Sequence, residues 1–304
     1  MLDRNLLELS TEVATALDKK RAVVALESTV IAHGLPRPQN IETAMRLEAI
    51  VRDAGVTPAT IAILEGKLCV GLNAAQLEFL AEDNNIHKVS IRDLPVAIAR
   101  EWNGATTVAT TMRIAHSVGI QVFSTGGIGG VHRGALPDVS ADLPELARTP
   151  MVVVCSGAKI VLDLPATREW LETFGVTVVG FGCDEMPAFY SRRSELPVDV
   201  RVETADEVAK IAFARRRLGL EGATILTVPV PEAFDVPMHV LNEILDVALF
   251  EAEKKKVGGR DLTPFLLTSM TEQSGGATLK ANIALLENNA RVASEVALAL
   301  SPQA

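Results

Sequence analysis

A chain of 304 residues can bury a large core, and its 48% apolar and 4% aromatic content suits an α/β protein packed on Ala, Val, Leu and Ile. A formal charge of -9 argues against a nucleic-acid partner, which needs a basic surface, but leaves room for a small phosphorylated ligand held by a few local cations. The three cysteines lack metal-ligand spacing, no apolar run reaches bilayer length, and MLDRNLLELSTEV has no secretory-signal pattern, so the expectation is a cytoplasmic protein with free thiols and no membrane partner.

Short β-branched runs alternate with longer helical patterns. AVVAL (22–26) reads as a buried strand and runs straight into ESTVIAHGLP, which places Glu27 just past the strand end. Ligands bind at that edge of open α/β sheets, and a partly desolvated carboxyl group there has a raised pKa suited to a general acid. The plainer reading is an acid that caps the following turn. A helix over 40–55 and the strand TIAIL (60–64) come next. In HKVSIRDLP, Lys88 opens a strand-like run, either as a surface lysine or as a phosphate contact. GATTVATTM (104–112) places four hydroxyls in a small-residue run that either meets a ligand or packs between helices.

QVFST (121–125) leads into STGGIGGVHRGALPDVSADL, Ser124 to Leu143. Glycines at 126, 127, 129 and 130 allow close backbone approach to an anion, yet neither the dinucleotide fingerprint nor the Walker pattern is present. His132 and Arg133 add positive charge for a phosphate. Asp138 and Asp142, with Ser140 between them, are hard oxygen ligands suited to Mg²⁺ or Mn²⁺. Glycines, cations and acids within so short a stretch point to a ligand rather than to a simple turn.

MVVVC (151–155) repeats the strand-to-turn arrangement and ends near Lys159, among Ala158, Ile160 and Val161. A desolvated ammonium loses its proton more easily and then attacks a carbonyl to form a Schiff base; the alternative is a lysine that snorkels to solvent. Helical patterns at 167–175 and 205–219 interleave with the strands TVVGF (177–181) and TILTV (224–228). Strands that are apolar throughout predict a sheet covered by helices on both faces. The last third is helical: 239–259, then two further patterns, the second from about Thr278 to Leu300, with Asn282 and Asn289 on one face with Leu279 and Leu286, where each needs a hydrogen-bond partner, either structural or substrate. Without a repeat or linker, residues 1–304 read as one catalytic domain.

Taken in order, ALESTVIAHGLPRPQN, KVSIRDLP, GATTVATTM, STGGIGGVHRG, DVSADL, VVCSGAKIVLDLPATREWLET, MPAFYSRRS, TPFLL and KANIALLENNA resemble the pseudouridine-5′-phosphate glycosidase family from about residue 20 to 298. The resemblance implies a three-layer α/β/α fold with a helical C-terminal section, a homotrimer, and reversible cleavage of the C–C bond between uracil and ribose 5-phosphate. By motif, it implies Lys159 as the covalent residue, Glu27 as proton donor, and Asp138 as ligand to one divalent ion, usually Mn²⁺. It also implies substrate contacts from Lys88, Val108, Ser140, Ala141 and Asp142; His132 and Asn289 join that set from the residue reading above. Met186 stands where the family more often has Phe, and TSMTEQSGGATLKAN is less compact than usual, both away from the expected catalytic groups. Two other readings compete: a different Schiff-base lyase acting on sugar phosphates, and a non-catalytic nucleotide-binding module. The presence of Glu27, Lys159 and Asp138 together argues against the second.

Overall fold

The computed structural model describes residues 3–134, 138–259 and 262–301. Its strands are β1 (Leu7–Leu9), β2 (Val23–Glu27), β3 (Thr57–Leu64), β4 (Lys67–Val70), β5 (His87–Val89), β6 (Gly104–Thr106) and β7 (Val122–Ser124) in the first half. Then come β8 (Val131–His132), β9 (Val152–Cys155), β10 (Leu162–Asp163), β11 (Thr177–Phe181), β12 (Val200–Val202) and β13 (Thr224–Thr227). The helices are α1 (Thr11–Asp18), α2 (Gln39–Asp53), α3 (Ala74–Glu82), α4 (Leu94–Ala99), α5 (Val108–Ser117) and α6 (Asp142–Leu146). The chain closes with α7 (Leu164–Thr173), α8 (Ala205–Arg217), α9 (Met238–Lys254), α10 (Leu262–Gln273) and α11 (Ala277–Leu300).

Among the described residues, eleven strands form one mostly parallel sheet in the order β1-β4-β3-β2-β7-β9-β13-β11-β12, with β6 and β5 branching from β3. The central strands β2, β9 and β13 are buried at every position, as their continuous Val, Ile and Leu runs require when both faces are covered. Helices α2 and α8 flank α11, which lies across β2, β7 and β9, while α5 packs on α6 and against β2 and β3. The α/β class, the two covered faces and the helical C-terminal section agree with the sequence reading.

The structure refines several boundaries. Glu27 is itself the last residue of β2, in register with Ile61, rather than the first residue of a turn. The helix expected at 167–175 begins earlier, at Leu164, because the Asp163 side chain accepts the Ala166 N–H and a proline fits the first turn. GATTVATTM splits into strand β6 and the start of α5.

The sheet forks at β3. β3 pairs with β2 up to Ile61, then exchanges β2 for β6 at Ala62 and Ile63. At the fork, the Ile61 carbonyl accepts two hydroxyls, Ser28 Oγ at 2.7 Å and Thr106 Oγ1 at 2.7 Å, and the Thr106 N–H donates to Ser28 Oγ at 2.9 Å. This buried hydroxyl cluster satisfies the backbone groups that diverging strands would leave unpaired. It also opens a cleft between the end of β2 and the β5–β6 arm.

Candidate active site

Three adjacent parallel strands, β2, β7 and β9, end at that cleft, and each delivers one polar group to it. β2 delivers Glu27, which is buried at 8% exposure. From the end of β7, the Thr125 hydroxyl donates a hydrogen bond to Glu27 Oε1. Thr125 is held in turn: its N–H donates to the Val154 carbonyl at 3.0 Å, and its carbonyl accepts from Asn289 Nδ2 at 2.9 Å.

Lys159 arrives on the turn after β9. The Ile128 N–H donates to the Gly157 carbonyl at 3.0 Å, and the Lys159 N–H donates back to the Ile128 carbonyl at 3.1 Å. Gly157 has φ +79°, and a Cβ there would sit 1.9 Å from the Pro187 carbonyl oxygen, so the turn demands glycine. Ala158, Ile160 and Val161 are buried around it, while the Lys159 side chain is half-buried and lines a cavity with Glu27 and Lys88. Lys88 comes from β5, across the fork. Asn282 and Leu286 of α11 form another wall, Thr263, Pro264 and Leu267 of α10 a third, and Phe189 and His33 complete it.

Burial raises the Glu27 pKa above its ordinary 4.5, and the charge of Asp142 adds to the rise, whereas Lys159, the Thr125 hydrogen bond and Lys88 pull it down. The net direction is upward, so the carboxyl group retains its proton to higher pH than an exposed glutamate. His33 moves the other way: burial and the charge of Lys88 lower its pKa, which favours the neutral imidazole.

The structure brings Glu27, Lys159 and Lys88 together as one site. Of the remaining expected residues, His132, Asp138, Ser140, Ala141 and Asp142 lie on the loop Ser124–Leu143, of which residues 135–137 fall outside the described set, whereas Val108 lies on α5 and Asn289 on α11. His132 pairs with Leu162, and its N–H donates to the exposed Asp138 carbonyl at 2.8 Å. The Ser140 N–H donates to Gly130, and Ala141 is exposed. Asp142 is buried and clamps the loop to α5: Oδ1 accepts from the Ala109 N–H at 2.9 Å and Oδ2 from the Gly129 N–H at 2.8 Å. Val108 opens α5 with its side chain in the core, so a ligand would meet its backbone rather than its side chain.

Asn289 is fully buried with its amide engaged by protein, bonding the Thr125 carbonyl and, at 3.2 Å, Ser156 Oγ. The residue one face-repeat earlier, Asn282, is the asparagine that lines the cavity. Heptad spacing put both on the same side of α11: Asn289 bonds the residues just past β7 and β9, and Asn282, two turns earlier, lines the cavity. Thr125, His33 and Phe189 were not singled out in the sequence. His33 follows Glu27 in the same quoted motif, and a π-helical turn over Val30–Gly34 folds it back onto the cleft.

Among the described residues, no group of three or more His, Cys, Asp or Glu lies close enough to form a metal cage. Asp138 is exposed and presents a single carboxylate, a hard oxygen donor of the kind that suits a divalent ion with further ligands from elsewhere. The three cysteines are free thiols. No helix among the described residues is long and apolar enough to cross a membrane.

The family model described as Indigoidine synthase A like protein matches residues 12–299. A curated pseudouridine-5′-phosphate glycosidase of Caldanaerobacter subterraneus subsp. tengcongensis is 52% identical over 97% of both chains. One of Escherichia coli strain K12 is 50% identical over 96% of this chain and 95% of its own. Among solved structures, the prealnumycin C-glycosynthase AlnA in complex with ribulose 5-phosphate superposes with a TM-score of 0.90 at 42% identity, covering 98% of each chain. An indigoidine synthase A-like protein from Thermotoga maritima also gives a TM-score of 0.90, at 39% identity over 98% of this chain and 97% of that one. The strand-end cleft with its acid and amine, and this agreement across nearly the whole length, establish that the chain is an enzyme and belongs to the pseudouridine-5′-phosphate glycosidase family.

Proposed function

We propose that the chain reversibly cleaves the C–C bond of pseudouridine 5′-phosphate with water to give uracil and ribose 5-phosphate, using Lys159 as nucleophile and Glu27 as proton donor. The observation that carries this reading is the placement of a half-buried lysine and a protonation-prone buried glutamate in one cavity, at the ends of the two strands that flank β7. Carbon is a poor leaving atom, so protonation alone, as in ordinary glycoside hydrolysis, offers little. An amine changes the electronics. The Lys159 nitrogen adds at C1′ and the C1′–O4′ bond breaks, with O4′ taking a proton. The nitrogen lone pair then forms C1′=N as the C1′–C5 bond breaks, its electron pair entering the uracil ring, where C5 takes a proton. Water hydrolyses the iminium, frees ribose 5-phosphate and restores the lysine.

Glu27, its proton held by burial, is the donor within reach of these steps, and Lys88 supplies positive charge for the anionic end of the substrate. Asp138 would hold a divalent ion, Mn²⁺ or Mg²⁺, which supplies charge neutralisation at the phosphate; His132, Ser140 and Ala141 on the same loop, the Val108 backbone, and Asp142 behind it would shape that end. The ribulose 5-phosphate in the AlnA structure is a sugar phosphate on the same fold and supports this class of substrate. A cytoplasmic homotrimer in a single catalytic domain completes the proposal.

The test is trapping. Protein mixed with ribose 5-phosphate, Mn²⁺ and borohydride should gain the mass of one reduced sugar phosphate at the Lys159 peptide, and wild-type protein should release uracil from pseudouridine 5′-phosphate. Uracil release without an adduct at Lys159 would refute the Schiff base and keep the reaction. Binding without turnover would favour the nucleotide-binding module. Chelation that leaves turnover intact would remove the metal.

A further inference from the structure

His33 is used by none of the steps above, yet it borders the same cavity as Glu27 and Lys159. Its Nε2 is buried and has no hydrogen-bond partner. The Ile86 backbone interacts with the ring and favours its protonated form, against the larger effect of burial. In the neutral ring with its proton on Nδ1, Nε2 is a bare lone pair.

The backbone there is built to place the ring. The turn Val30–Gly34 is π-helical, a form that recurs at functional sites. It is pinned by the Ile31 and Ala32 N–H groups on the Ser28 carbonyl, at 3.0 and 3.1 Å, and by Asn40 Nδ2 on the Ile31 carbonyl at 3.0 Å. The same segment begins at the fork, where Ser28 and Thr29 bond Ile61 and Thr106. A buried acceptor without a donor destabilises the free protein, so a position held this firmly calls for a partner that arrives with the ligand.

We propose that His33 is a specificity-determining residue of this cavity, whose Nε2 lone pair accepts a hydrogen bond from an uncharged donor on the substrate, either a ribose hydroxyl or a uracil N–H. The assignment rests on the reaction proposed above. Burial and the neighbouring Lys88 charge keep the imidazole neutral, which preserves the lone pair.

The test compares His33→Phe, His33→Gln and His33→Asn in the condensation direction, varying uracil and ribose 5-phosphate separately. The phenylalanine variant keeps the ring and removes the acceptor. It should raise the KM of one substrate roughly tenfold while changing kcat less. Glutamine, whose amide oxygen falls near the position of Nε2, should recover part of that loss, and asparagine should not. A shift in the ribose 5-phosphate KM assigns the donor to a hydroxyl, and a shift in the uracil KM assigns it to an N–H. Unchanged KM values in His33→Phe would overturn the proposal; so would equal values for the glutamine and asparagine variants, a comparison that holds even if the phenylalanine variant folds poorly. Wild-type protein that neither makes nor cleaves the nucleotide would instead remove the underlying reaction, and this assignment with it.

Discussion

The Thr125 hydroxyl donates to Glu27 Oε1 from just past the neighbouring strand, a hydrogen bond that stabilises the ionised form of this buried acid. Burial pushes the same acid the opposite way. Thr125→Val removes the donor with little change in shape and should raise the Glu27 pKa further. If Glu27 acts as a proton donor, the alkaline limb of the kcat profile moves to higher pH. An unmoved limb would mean that another group sets it.

Asp142 offers the opposite shift. Its charge adds to the rise in the Glu27 pKa, so Asp142→Asn should lower that pKa and move the alkaline limb to lower pH. The same change carries a structural cost, because one amide oxygen cannot serve both the Ala109 and Gly129 N–H groups. A loss of about 1–3 kcal/mol follows from leaving one buried N–H facing a donor. Denaturant unfolding reads the stability and the pH profile reads the charge.

Glu27→Gln should abolish most turnover, by roughly a hundredfold or more, yet fold normally. Stability gives an independent reading. The folded-state pKa lies above the ordinary 4.5, so wild-type protein keeps its full stability below that value and loses part of it as pH rises through the folded pKa. Glutamine has no charge to bury. The variant should therefore melt higher than wild type at neutral pH, with the advantage shrinking towards pH 4.5 and below. A constant difference across that window would contradict the raised pKa.

Asn282 and Asn289 should separate by readout. Asn289→Ala removes a fully buried amide that bonds Thr125 and Ser156 and should cost about 1–3 kcal/mol of stability. Asn282→Ala opens a cavity wall instead, and should change KM with little change in melting temperature. The reverse pattern would exchange their roles.

The central sheet was legible because β2, β9 and β13 are buried on both faces, and only uninterrupted β-branched runs satisfy that environment. The strand-end positions of Glu27 and Lys159 were legible for a related reason, since each lies at or just past such a run, but their chemistry was not, because a capping acid and a snorkelling lysine fit the same pattern. Short pieces such as β5, β6 and β8 carry too few residues for a period to show. Asn282 against Asn289 could not be decided, because helical spacing gives the face and not how far along it the ligand lies. Thr125 and His33 depend on strand register and on a π-helical turn, both set by partners distant in sequence.

The exchange of partners by β3 also bears on how the chain is made. Beyond Ile61 one edge of β3 finds its partner only in Ala105 and Gly104, after α3, β5 and α4 have been synthesised. Until then a nascent chain presents an unpaired, apolar strand edge of the kind that recruits other chains. The fork that shapes the cleft is therefore also a point where an unfinished molecule is exposed to misassembly, and truncations ending before Gly104 should leave this edge of β3 open.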